Sequence, residues 1–175
     1  MIPALSSDHG YLPVGRYAAT RDEVIDRFVL HEDFDGSSTR QALWDEWELH
    51  LMFVEAALGT MPRAWLAGSF VTQKAEPADV DVFYGFPADW YDRLDQQDVD
   101  SLADLLEHSW CRSHGMRVDA YAVRLPDSVH FDDLRAGQLS ARNIQAFQSL
   151  GLYDEIWQRS RSGIAVRRGY LEVQL

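Results

Sequence analysis

One stretch, WLAGSFVTQKAEPADVDVFYGF at 65–86, constrains the fold more tightly than the rest of the chain. It ends an apolar run with Gly68-Ser69, leaves nine residues, and sets Asp79 and Asp81 into the opening of a second apolar run. Aromatic and β-branched residues on both sides of a polar linker read as two strands, 63–67 (RAWLA) and 79–86 (DVDVFYGF), separated by TQKAEPA. Side chains alternate along a strand, so Asp79 and Asp81 share one face while Val80 and Val82 point into the core. Two like charges held that close repel and lose hydration, which is tolerable at a strand end near water or around a cation.

The flanking sequence supplies the rest of a mixed α/β (α+β) fold in which helices flank a sheet. Residues 1–19 lack any period and read as an arm lying on a single domain spanning 1–175. Thr20 with Glu23 three residues on is a capping box, followed by an apolar face of Val24, Ile25, Phe28 and Val29. Ser37 or Ser38 caps a longer helix in which Leu43, Trp47, Leu51, Val54 and Leu58 recur at spacings of three and four before Gly59. Trp44, Trp47, Phe53 and Leu58 on this helix read as core. Val99, Leu102, Leu105 and Leu106 mark a helix that ends near Gly115. A third strand follows in MRVDAYAVRL, where Asp119 and Tyr121 share the face opposite Val118 and Ala120. Helical patterning returns around Leu134 to Leu150, and a carboxy-terminal extension over 151–175 ends in GIAVRRGYLEVQL, a terminal strand or hairpin.

Composition narrows the setting. With 46% apolar residues the 175-residue chain can build one core. The lone Cys111 cannot close an intramolecular disulfide, and no apolar run is long enough for a membrane span, so the expectation is a cytoplasmic protein with no membrane partner. Twenty-eight acidic against sixteen basic residues leave a net charge of −12, which opposes nonspecific DNA binding and otherwise serves solubility. The histidines point nowhere: His108 and His114 flank Cys111 without zinc-site spacing, and His9, His31, His50 and His130 stand alone.

A divalent cation would resolve the conflict between Asp79 and Asp81. Mg²⁺ takes oxygen ligands and is commonly shared between one or two carboxylates and substrate phosphates. If the strand carrying Asp119 lies beside the one carrying Asp79 and Asp81, three carboxylates meet in one patch, enough for two metals about 3.5–4 Å apart, as used in phosphoryl transfer. Gly68 would let backbone approach a ligand, and Ser69, if it opens a helix, offers hydroxyl and N–H groups to phosphate.

Gly-Ser, a short spacer, Asp-x-Asp between apolar residues and a later carboxylate on another strand resemble the signature of the nucleotidyltransferase (DNA polymerase beta-like) superfamily. LPVGRYAATRDEVIDRFV with GSFVTQKAEPADVDV is more similar still to small bacterial and phage nucleotidyltransferase-like proteins of unknown function, the DUF6932 type. The close likeness covers 12–30 and 64–84, and Asp119 extends it. It departs from minimal antitoxin-type members, which carry Ala-Arg-Gly after Gly-Ser where this chain has FVTQK.

The resemblance implies a nucleotidyltransferase-like sheet and two Mg²⁺ ions, with Asp79 and Asp81 bridging both metals and Asp119 binding the one that activates the attacking hydroxyl. Gly68 and Ser69 would cradle the terminal phosphates of a nucleoside triphosphate such as ATP. The implied reaction moves a nucleoside monophosphate to a hydroxyl on a protein, tRNA or small molecule, with toxin–antitoxin or phage-defence settings among the contexts. The alternative is an inactive module of the same fold that binds a nucleotide or a partner protein.

Other residues are weaker candidates. Thr72 and Lys74 lie between the motif halves, where Lys74 either meets triphosphate charge or is a solvated loop lysine. Trp90 and Tyr91 either stack on a nucleobase or anchor a helix start. Arg167 and Arg168 read as surface charge within reach of phosphate. Ser69 has no nearby His and Asp arrangement for a nucleophile's role.

Overall fold

The computed structural model describes residues 1–59, 62–128, 134, 135, 137, 139–161 and 165–175; His130 and the start of GIAV lie outside them. Five strands, β1 (Arg16–Thr20), β2 (Arg63–Ala67), β3 (Val80–Phe86), β4 (Val118–Arg124) and β5 (Tyr170–Gln174), form one sheet in the order β1-β5-β2-β3-β4. The outer pairs β1/β5 and β3/β4 are parallel, while β2 runs antiparallel to both β5 and β3. Among the described residues six α-helices accompany it: α1 (Arg21–Phe28), α2 (Arg40–Leu58), α3 (Ala88–Tyr91), α4 (Gln96–Leu106), α5 (His108–Ser113) and α6 (Ala141–Trp157). Among the described residues, no helix is long and apolar enough to cross a membrane.

β2 and β3 read as nearly unbroken apolar runs because both of their faces are covered. On one face Ala64, Leu66, Val80, Val82, Tyr84, Phe86, Val118, Ala120, Leu171 and Val173 join Leu43, Trp44, Trp47, Leu51, Val54 and Leu58 of α2 in the main core. Each such side chain taken out of water contributes about 1.5–3 kcal/mol before conformational entropy is subtracted. The opposite face carries a smaller cluster, Trp65, Ala67, Phe83 and Tyr170, with Trp157 of α6 against it and Tyr153 partly buried at its edge.

The capping box at Thr20 forms as its sequence requires, with Thr20 Oγ1 accepting from the Glu23 N–H and Glu23 accepting from the Thr20 N–H. Gly59 ends α2 in the left-handed region at φ 63°. The start of α2 falls later than the serines suggest: Thr39 is the N-cap residue and makes no side-chain cap, while Ser37 Oγ accepts from the Arg40 N–H at 3.3 Å.

Several sequence expectations need correction. Residues 16–19 belong to β1 rather than an arm, and their pairing with β5 makes the carboxy-terminal strand an interior member of the sheet. β1 is not legible alone, because it is completed by a partner more than 140 residues away, whereas β5 falls within the expected terminal strand. The helix expected to end at Gly115 is broken at Glu107, whose extended backbone closes α4 and whose side chain accepts from the Trp110 N–H to cap α5. Phe53 is exposed rather than core and is set edge-on against Trp110, and Val99 of the periodic set on α4 is exposed as well. The last helix runs over 141–157 instead of 134–150. His50, uninformative as a letter, is fully buried: Nε2–H donates to Leu105 O at 2.8 Å, which leaves Nδ1 to accept from Tyr84 Oη at 2.9 Å. Burial pushes its pKa down, so it is a neutral core histidine.

Candidate functional site

Strand polarity gathers the signature residues at one edge of the sheet. β2 ends there at Ala67, and β3, β4 and β5 all begin there. Ala67 pairs with Asp81, and Asp81 pairs in turn with Asp119, so the carboxylate-bearing residues lie directly opposite each other on adjacent parallel strands. Asp79 sits just before β3 and is half-buried.

Gly68 follows β2 at φ 71°, a conformation that favours glycine, and space demands glycine as well. A Cβ at this position would lie 1.5 Å from Asp81 Oδ2. The Asp81 carboxylate is thus packed against the backbone of the Gly-Ser turn. Its pKa is pushed up to about 6, first by burial, then by the charges of Asp79 and Asp119, with Arg168 and Arg161 pulling the other way.

Ser69 does not open a helix. Residues 68–71 form a turn in which Ser69 O accepts from both the N–H and the Oγ1 of Thr72. Thr72 is buried and its hydroxyl also accepts from the Lys74 N–H, so Thr72 scaffolds the loop rather than facing a ligand. Lys74 has an exposed side chain.

The loop is held by Arg40, which sequence reasoning passed over. Its side chain is 1% exposed and its guanidinium donates to Phe28 O (2.7 Å), Phe70 O (2.8 Å), Thr72 O (2.8 Å) and Lys74 O (2.5 Å) while lying 3.6 Å over the Phe34 ring. Burial pushes its pKa down to about 10, opposed by the charge of Glu76, so it stays a cation at neutral pH. Three of the four carbonyls belong to residues 70–74, and one side chain therefore fixes the loop's path. Nothing local in the sequence distinguishes this arginine from a surface one.

β4 is placed with similar care. Arg117 makes a bidentate pair with Glu46 of α2, and its N–H donates to Glu46 Oε2 at 2.7 Å. The Arg117 carbonyl accepts from the Val80 N–H, which sets the β3/β4 register. On the face bearing Asp119, Tyr121 Oη donates to Asp119 Oδ2 at 3.1 Å. Burial, then the charges of Asp119 and Asp81, push the Tyr121 pKa up to about 12.

The two arginines before β5 part company. Arg167 pairs with Glu155 on the surface. Arg168 is half-buried, feels the charge of Asp81, and donates from Nε to Trp157 O at 3.4 Å; burial lowers its pKa. The amino-terminal segment closes the same edge, with Tyr11 bridging to Thr72 and the Gln73 N–H donating to Gly10 O. Trp90 is an anchor: its ring stacks on Phe86 and its Nε1–H donates to Leu58 O at the end of α2.

Among the described residues no three His, Cys, Asp or Glu side chains converge tightly enough, as they stand, to hold a metal ion. The donors are nonetheless right in kind: hard carboxylate oxygens on Asp79, Asp81 and Asp119, with Asp81 poorly compensated for its charge. The β3/β4 register holds Asp81 and Asp119 opposite each other, and Asp119 Oδ2 accepts from Tyr121 Oη.

No curated protein and no solved structure matches the chain. A family model described as "Family of unknown function (DUF6932)" matches residues 3–174, from the amino-terminal segment through β5. The chain therefore belongs to the DUF6932 family.

Proposed function

We propose that the protein is a Mg²⁺-dependent nucleotidyltransferase that moves a nucleoside monophosphate from a nucleoside triphosphate to a hydroxyl of a protein, tRNA or small molecule. The observation that carries this reading is the opposition of Asp81 and Asp119 across β3 and β4, beside a glycine turn that admits no side chain. Mg²⁺ held by Asp79, Asp81 and Asp119 would supply neutralisation of phosphate charge and acidify the acceptor hydroxyl. The chain's own groups do the rest. Ser69 offers its hydroxyl to phosphate oxygens at the turn. Arg168 brings a half-buried positive charge to the same edge, where developing negative charge on a leaving pyrophosphate is best stabilised away from bulk water. Asp119, already accepting a hydrogen bond from a hydroxyl, is placed to take the proton of an attacking one.

The second reading is a nucleotide-binding module without turnover. Ser69 lying in a turn, and carboxylates that do not converge as they stand, favour it. Calorimetric titration of a nonhydrolysable nucleoside triphosphate with Mg²⁺ tests the site, and pyrophosphate release from the natural nucleotide separates the readings. Metal-dependent binding in the wild type that is lost in Asp81→Asn is the expected result; no binding by the wild type would overturn both.

A further inference from the structure

The acceptor in such a reaction must bring a hydroxyl to the carboxylates. One of the chain's own hydroxyls is already there. Tyr121 lies two residues beyond Asp119 on β4, on the same face, and its phenol donates to Asp119 Oδ2 at 3.1 Å. The residue is 38% exposed, so its side chain is open to solvent at the carboxylate patch. Its ring packs against Tyr153 (5.6 Å between centroids) and edge-on against Trp157 (6.2 Å), both on α6, so the hydroxyl is presented from a strand and braced by a helix. A nucleophile held this way avoids the entropy of bringing a second molecule to the site.

Resting on the nucleotidyltransferase reading, we propose that Tyr121 is itself an acceptor and that the chain nucleotidylates its own Tyr121. The phenolic oxygen attacks the α-phosphorus of the nucleoside triphosphate. The Oη–P bond forms as the bond from the α-phosphorus to the bridging oxygen breaks; the electron pair leaves with pyrophosphate, and the phenolic proton passes to Asp119 Oδ2, to which it is already directed. The product is a tyrosyl phosphodiester over the carboxylate patch.

The flanking sequence makes the test direct. Trypsin cuts after Arg117 and Arg124, releasing VDAYAVR, in which Tyr121 is the single hydroxyl. The full chain is incubated with Mg²⁺ and each of the common nucleoside triphosphates, weighed intact, and then digested. The expected result is a gain of one nucleoside monophosphate carried by that peptide, absent from Tyr121→Phe and from Asp119→Asn. Tyr121→Phe keeps the ring contacts, and should it fail to fold, the wild-type peptide and Asp119→Asn still decide. An adduct on another peptide, or Tyr121→Phe labelled as fully as the wild type, overturns Tyr121 as acceptor while nucleotidyl transfer stands. Mg²⁺-dependent nucleotide binding with no mass gain anywhere also overturns it and leaves the nucleotide site in place. Absence of nucleotide binding by the wild type in calorimetry overturns both.

Discussion

Arg40 and Asp81 are both drawn away from water, Arg40 fully and Asp81 in part, and they are treated in opposite ways. Arg40 at the start of α2 is compensated by four carbonyl acceptors and a ring face. Asp81 on β3 is packed against Gly68 and faces two further carboxylates, with Arg168 and Arg161 as partial relief. A charge that serves structure is satisfied by its surroundings. One left short of compensation is a candidate for a functional role.

The sharpest way to break this contrast is to remove each charge in turn. Arg40→Met strips the donor from four carbonyls and frees the loop over 70–74, at a cost on the order of 4 kcal/mol by urea denaturation. Arg40→Lys should recover part of this, since an ammonium offers fewer donors in a less suitable geometry. An Arg40→Met protein as stable as the wild type would show that the clamp is not structural.

Gly68→Ala comes next. Both the positive φ and the collision with Asp81 Oδ2 oppose it, so a loss of about 3 kcal/mol is expected, together with loss of nucleotide binding in calorimetry. An alanine protein of unchanged melting temperature would mean that Asp81 turns away from the loop without cost.

Asp81→Asn should move stability the other way. The carboxyl has a pKa of about 6 when folded, against roughly 3.9 when unfolded, so the folded state binds its proton more tightly. The resulting stability is fully present below about pH 4 and is lost as the pH rises through 6. Asparagine removes that loss, so the variant should gain on the order of 2 kcal/mol over the wild type above pH 7 and converge with it near pH 4, while losing nucleotide binding. A denaturation series across pH in which the two proteins run parallel would show that Asp81 is better compensated than its surroundings suggest. The smallest effect belongs to a charge in water: Arg93→Ala breaks an exposed pair with Asp89 and should cost less than about 0.5 kcal/mol.

How much of this was legible in the letters varies with the range of the interaction. The Thr20 capping box, the glycine stop at Gly59 and the strand 63–67 depend on neighbours a few residues away and appear where the pattern puts them, and the strand expected over 79–86 begins one residue later, at Val80. The alternation that sets Asp119 and Tyr121 on one face of β4 was equally readable, and with it the raw material of the candidate site. Arg40 was not, because its acceptors come from residues 28 to 74 and an arginine at a helix start looks like any surface cation. Arg168 was read with Arg167 as surface charge, and only the packing of α6 and β5 separates the two.

By itself the sequence determined the Thr20 cap, the Gly59 stop, the strands that carry the signature and the identity of the carboxylates, since caps, alternation and apolar flanks act over a few residues. Tertiary structure alone decided that Asp81 and Asp119 stand opposite each other, that β5 enters the sheet between β1 and β2, and that Arg40 secures the loop between the motif halves. Strand order and burial arise from pairings between segments far apart in the chain, which no local pattern encodes.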